Sequence, residues 1–198
     1  MVRPRVEAGQ VATPERLLQA AELEFARHGF HGAKLQAIAE RAGISRPSLL
    51  YHFSSKQVLY SAVVESVLSQ IGARLQSAMA LGEHFQVQVE AIVKGFVDFL
   101  SARPSAARVV LRELMDDEGP GQAILLQAGV PLLEMVEAFL RDKGGEHVPK
   151  DLPLRGAVLQ LMSSAFVKAS CGQLESALWG DSDPHLLLTR QLFQRTPA

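Results

Sequence analysis

The stretch AGISRPSLLYHFSSK, Ala42 to Lys56, allows the backbone few choices. Before it, Leu35, Ile38, Ala39 and Ala42 recur at the i, i+3, i+4, i+7 spacing of one helix face. Gly43 ends that helix, predicted over about Lys34 to Ala42, and Ile44 plugs the turn. A second helix must then start almost at once. Ser45 suits its N-cap, which puts Arg46 and Pro47 in the first turn, where backbone N–H groups have no helical partner and proline costs little. This helix ends near Phe53, and Ser54 to Gln57 reads as a capping box that opens a fourth helix, roughly Ser55 to Met79. Two short helices joined by a tight glycine turn make a helix-turn-helix.

The rest of the chain is helical in pattern, without strand-like alternation, internal repeats or low-complexity tracts. Thr13 and Pro14 supply the cap and first turn of a first helix, which ends at Gly29 in a left-handed conformation. Beyond Gly82, helices are predicted at about Phe85–Ala102, Pro104–Asp116, Gly121–Lys143, Leu154–Leu178 and Asp183–Arg195, with Pro131 kinking or splitting the third of these. The fold class expected is all-α: a three-helix head at residues 12–58, its motif at about 34–53, and a larger helical body at 59–198.

Charge is distributed unevenly. Residues 1–56 hold eight Lys/Arg against five Asp/Glu, a local +3, and the remainder holds 12 against 16, a local −4. A basic head on an acidic body fits nucleic-acid binding, and it fits equally an ordinary solvated surface. Cys171 is the single cysteine, which excludes an intrachain disulfide and a multi-cysteine metal site. The opening MVRPRVEAGQ has no apolar run of the secretory kind, and the apolar stretch AILLQAGVPLL is broken and too short to span a bilayer. A soluble cytoplasmic protein with no membrane partner is expected.

The short helix from Ser45 to His52 carries the chemistry. Ile44, Leu49 and Phe53 can pack inward, leaving Ser45, Arg46, Ser48 and His52 to face elsewhere. In a helix-turn-helix the second helix enters the major groove with its N-terminal residues at base edges. Arg46 can pair with guanine or contact a phosphate, the two serines permit close approach, and Tyr51 offers a hydroxyl on a rigid ring to a phosphate. Lys56, in the first turn of the fourth helix, opposes the helix dipole, which a nearby phosphate would explain. The plainer alternative is that Tyr51, His52 and Phe53 only finish and pack a helix. Neither a glycine-rich phosphate loop nor a nucleophile elbow is present, so no enzyme and no cofactor is expected. His28 and His31 read as structural, Cys171 as buried packing, and Glu113, Asp116 and Asp117 as a solvated acidic helix end rather than a metal site.

From Leu17 to Glu65 the chain resembles the DNA-binding head of the TetR family of bacterial transcription repressors. The shared parts occur in order: an apolar helix ending F-A-x-x-G-F, then I-A-x-x-A-G-I-S, then L-Y-H-F, then S-K. The resemblance implies a homodimer whose body holds a ligand pocket and whose last two helices form the dimer interface. It places the recognition helix on Ser45 to His52 and phosphate contacts on Tyr51 and Lys56. Ala33 and Lys34 stand where the family has hydroxyl residues, so Lys34 replaces a hydroxyl contact with a charge. Leu50 and Pro47 also depart from the pattern. The DNA-facing set is then Lys34, Ser45, Arg46, Pro47, Ser48, Tyr51, His52 and Lys56. The implied partners are a double-stranded, palindromic DNA operator and a small-molecule effector that releases it. The alternative is a helical dimeric interaction protein that binds DNA only non-specifically.

In the body, Phe96, Phe99, Met115, Phe139, Met162 and Phe166 lie at helical spacings. They read as core, some of them as pocket wall under the resemblance. Lys94 and Asp98, one turn apart, either lie on the solvent side or orient a mostly apolar ligand in that pocket. Leu174, Leu178, Leu188 and Leu192 provide the apolar surface expected of a dimer face.

Overall fold

The computed structural model describes residues 13–82, 84–116, 118–180 and 184–193, and no strand occurs among them. Asp117 and Asp183, the end of the last predicted helix at Arg195, and the side chain of Thr13 lie outside the described residues. Eleven α-helices follow in order among the described residues: α1 Thr13–Gly32, α2 Leu35–Arg41, α3 Arg46–His52, α4 Lys56–Met79, α5 Phe85–Ala102, α6 Pro104–Met115, α7 Gln122–Ile124, α8 Val130–Gly144, α9 Leu154–Ser170, α10 Glu175–Trp179 and α11 Pro184–Phe193.

Local chemistry fixes most boundaries. Gly29 takes φ 69° inside α1, and Gly43 takes φ 70° between α2 and α3, a region closed to most side chains. Ser45 Oγ accepts the Ser48 N–H at 3.2 Å and caps α3, with Pro47 in the first turn. The cap of α4 is Ser55, which accepts the Val58 N–H at 3.2 Å. The predicted box on Ser54 and Gln57 is therefore one residue out of step. Pro131 neither kinks nor splits its helix bluntly. A π turn, Leu125–Gly129, joins α7 to α8, and the Val130 N–H reaches back to the Leu125 carbonyl. That widened turn sits where the proline ring and its missing donor would spoil ordinary α pairing. The predicted helix Leu154–Leu178 is two: α9 stops at Ser170, and Gly172 at φ 57° opens a 3₁₀ turn before α10.

Two apolar clusters organise the molecule. The head cluster gathers Leu17, Phe25, Ile38, Leu49 and Leu59, and runs up α4 through Tyr60, Val63 and Leu68 to take in Val109 of α6 and Ile124 of α7. The body cluster draws on α4, α5, α6, α8, α9 and Phe193 of α11. Head and body thus share α4 and meet across α6. By length and composition the run Gln122–His147 would suffice to cross a bilayer, longer than the eleven-residue stretch suggests. Here it contributes Leu133, Val136 and Leu140 to the body core, with the carboxylate of Glu137 buried beside them. Glu137 is held by Arg155 Nε at 2.7 Å and Arg141 Nη2 at 3.3 Å.

Candidate nucleic-acid interface

Helix α3 is anchored from one side only. Leu49 is fully buried, and Ile44, Leu50 and Phe53 pack against the head cluster. Ser45, Arg46, Pro47, Tyr51 and His52 lie on the open side and are all exposed, while Ser48 is half-buried. Tyr51 is 88% exposed, an unusual place for an aromatic ring. It touches the ring of His52 edge-on at 5.6 Å. This exposure disposes of helix-end packing as its role within the single chain.

Lys34 is the N-cap residue of α2, exposed and extended, with no side-chain cap of its own. Its backbone N–H points to Glu24 Oε1, 3.4 Å away, so a buried carboxylate ties the start of α2 to α1 while the missing capping hydroxyl is not replaced. The Lys34 ammonium is left outward at the start of the motif. Lys56 has a local partner. Its ammonium donates to the His31 carbonyl at 3.0 Å and lies 5.0 Å from the Phe30 ring centroid, and partial burial lowers its pKa. The end of α1, rather than a phosphate, answers the dipole conflict, while two of its N–H donors remain for other acceptors.

Helix α6 is stitched to the head along its length. At its start Arg103 bonds Glu22 of α1 and Gln70 of α4, and Ser105 Oγ donates to Glu22 Oε1 at 2.5 Å. At its end Arg112 Nε donates to the Ala26 carbonyl at 3.3 Å, a cation at the C-terminal end of α1. Glu113 accepts the Tyr60 hydroxyl on Oε2 at 2.7 Å and the Gly121 N–H on Oε1 at 2.7 Å. At 2% exposure it is no part of a solvated acidic run. Among the described residues no group of three His, Cys, Asp or Glu is placed to hold a metal ion.

The body contains a small apolar cavity of about 60 Å³ and an open groove of about 400 Å³. Phe96 lines the first, Phe166 the second and Met162 both, with the two phenyl rings edge-to-face at 5.3 Å. The other residues assigned to a pocket wall lie elsewhere. Lys94 and Asp98 pair with each other at 2.5 Å in solvent, 63% and 62% exposed, because their turn of α5 faces away from the core. Met115 is 83% exposed at the end of α6. Phe99 is buried beneath the guanidinium groups of Arg74 and Arg103, at 4.4 and 5.3 Å from its centroid. Phe139 instead stacks on Phe85 at 6.1 Å, lining neither cavity. Leu174, Leu178 and Leu188 are exposed, whereas Leu192 is half-buried against the body core and is no free face. Cys171 is partly buried, not sealed in packing.

Residues 17–63 match the profile of a family described as bacterial regulatory proteins, tetR family. Residues 17–63 thus carry the DNA-binding head of the TetR family. Its head is 47% identical over 57 residues to the HTH-type transcriptional regulator RutR of Escherichia coli, covering 29% of this chain and 27% of that one. It is 34% identical over 95 residues to the HTH-type transcriptional activator FasR of Mycolicibacterium smegmatis, covering 48% of this chain and 43% of the relative. The chain thus spans less than half the length of these curated relatives. Over nearly all its length it shares a fold with FadR from Bacillus subtilis, solved in complex with stearoyl-CoA. The TM-score is 0.69 at 13% identity, over 91% of this chain and 95% of that one. Both of these curated relatives are named as transcription regulators.

Proposed function

We propose that this protein is a cytoplasmic, dimeric transcription regulator of the TetR family that binds a palindromic operator through α3 and releases it when a small, mostly apolar molecule occupies the body. One observation carries the reading. A helix anchored by Leu49 presents Arg46, Pro47, Tyr51 and His52 to solvent, with a capped N-terminus and nothing among the described residues to cover them. Support for the effector comes from two body cavities with largely apolar walls, and from FadR, a protein of the same fold solved with an acyl-CoA. Support for the dimer comes from Leu159, Val167, Leu174 and Leu178, which are exposed at helical spacings on α9 and the segment after it.

Selection of bound sequences from a random duplex library tests the first half directly. Enrichment of a two-fold symmetric site, footprinted with half-sites about one helical turn apart or a multiple of it, is the expected result. Retention of DNA without any enriched sequence would favour the alternative, a helical interaction protein with only non-specific affinity.

A further inference from the structure

The open groove lies between α4, α6, the α7–α8 run and α9, and its wall is leucine, valine, isoleucine and phenylalanine almost throughout. Among its described lining residues Glu113 is the single charged side chain, with Gln122 and Ser163 as lesser polar groups and no Lys, Arg or His. The carboxylate is built in with care. A Cβ added at Gly119 would collide with Glu113 Oε1, and one at Gly121 would lie 2.9 Å from its Cδ. The Gly-Pro-Gly loop after α6 is therefore glycine on both sides of Pro120 so that backbone can close over this one side chain. The other end of the same contact is Tyr60, whose ring meets Phe25 edge-on at 4.9 Å and Phe30 at 5.2 Å inside the head cluster.

Resting on the reading of this protein as a ligand-responsive regulator, we infer that the groove takes an amphipathic molecule with an apolar body and a cationic or hydrogen-bond-donating group, which Glu113 recognises in competition with Tyr60. A carboxylate ligand brings like charge against Glu113 in a site with no cation to offset it, and so is disfavoured. An ammonium loses its hydration on entering an apolar groove and needs a partner there, which Glu113 supplies. Binding and signalling then share a residue. Drawing Glu113 toward the groove weakens its bond to the Tyr60 hydroxyl, one of the fastenings between α6 and the head. Through the ring packing of Tyr60, Phe25 and Phe30 the change reaches the core under α2 and α3. This sets the effector class apart from the anionic acyl-CoA seen with FadR.

The test uses the full chain without DNA, so it stays readable whether or not an operator is found. Isothermal titration compares three probes of equal chain length below their micelle concentrations: decylammonium, decanol and decanoate. Decylammonium should bind about tenfold or more tighter than decanoate, the worth of one charge-assisted hydrogen bond, with decanol between. Glu113→Gln should bring the three together, and Tyr60→Phe, by removing the competitor, should tighten decylammonium. Leu126→Trp, at a mouth position 69% exposed and so safe for folding, should weaken decylammonium by about tenfold. Decanoate equal to or tighter than decylammonium overturns the inference. So does an ammonium preference that survives Glu113→Gln, or decylammonium binding indifferent to Leu126→Trp. No decylammonium binding by a chain that does select a DNA site sinks this inference and leaves the regulator standing.

Discussion

Tyr51 and Tyr60 are the only tyrosines of the chain, and the fold uses them in opposite ways. Tyr51 points its ring at solvent, while Tyr60 is buried with its hydroxyl on Glu113. Burial first, then the bond to Glu113 and its charge, raise the Tyr60 phenol above its ordinary range; Asp116 adds to this and Arg112 opposes it. A folded-state pKa above the unfolded one means stability fully present below the unfolded value and lost as pH rises past it, from about pH 10. Lys56, lowered by burial, acts in the opposite sense, so the informative quantity is a difference. Denaturant unfolding at pH 9 and pH 11 should show a loss in the wild type that Tyr60→Phe largely removes; an unchanged slope would mean that Tyr60 is not a buried neutral phenol. At neutral pH the same substitution should cost about 1–3 kcal/mol, because it strips a buried carboxylate of a donor. On the outer surface, Arg46→Ala should cost about 1–3 kcal/mol on the selected operator and less on random DNA, while Tyr51→Phe should weaken both alike. Equal losses for Arg46→Ala on both DNAs would reduce Arg46 to a phosphate contact. The exposed side of α3 was legible because turn, cap and proline fix which way the helix faces. Glu113 was not, since a helix-end acid followed by Asp116 looks solvated until the glycines at 119 and 121 are seen to wrap it.

Those glycines give the element scale its sharpest contrast. Gly43 needs glycine for its φ of 70° and has nothing within 4 Å of an added methyl, so Gly43→Ala carries conformational strain alone, about 1 kcal/mol. Gly119→Ala meets the Glu113 carboxylate directly and must push it off Tyr60 or push the loop away, about 1–3 kcal/mol beyond any backbone term. Urea midpoints for the two variants should therefore separate clearly, with Gly119→Ala the lower; coincident midpoints would mean that the loop yields freely and does not hold Glu113. Helix α5 was readable to the residue, because His84 and Arg103-Pro104 bracket an unbroken apolar pattern. Helix α9 was overrun by eight residues, because the apolar spacing continues through Leu174 and Leu178 across a Gly172 that turns the chain. Periodicity reports which side chains share a face, and a helix, a 3₁₀ turn and another helix can preserve that face while breaking the ladder.

At the scale of the molecule, the head was legible from one stretch and the body only as a set of helices. What orients body helices is burial against one another, and α5 shows the consequence: its Lys94–Asp98 side was considered for the cavity and instead faces water. The same reasoning sharpens the dimer prediction. Leu159, Ser163 and Val167 are exposed at four-residue intervals on α9, so they share one face, and Leu174 and Leu178 repeat the interval beyond it. A stripe of this kind along a helix of 17 residues is left without cover by the described residues and matches the self-complementary face of a two-fold pair. Leu192 drops out, being packed on the body core. Leu159→Lys and Leu178→Lys place charges where the chain already meets solvent, so each monomer should keep its helical circular dichroism. Sedimentation equilibrium at micromolar concentration should then show a dimer for the wild type and a monomer for the double variant. Operator affinity should fall steeply with the loss of the second half-site, while affinity for an isolated half-site should change little. A double variant that remains dimeric would move the interface to Leu187 and Leu188 on α11, which are exposed on the other side of Gly180.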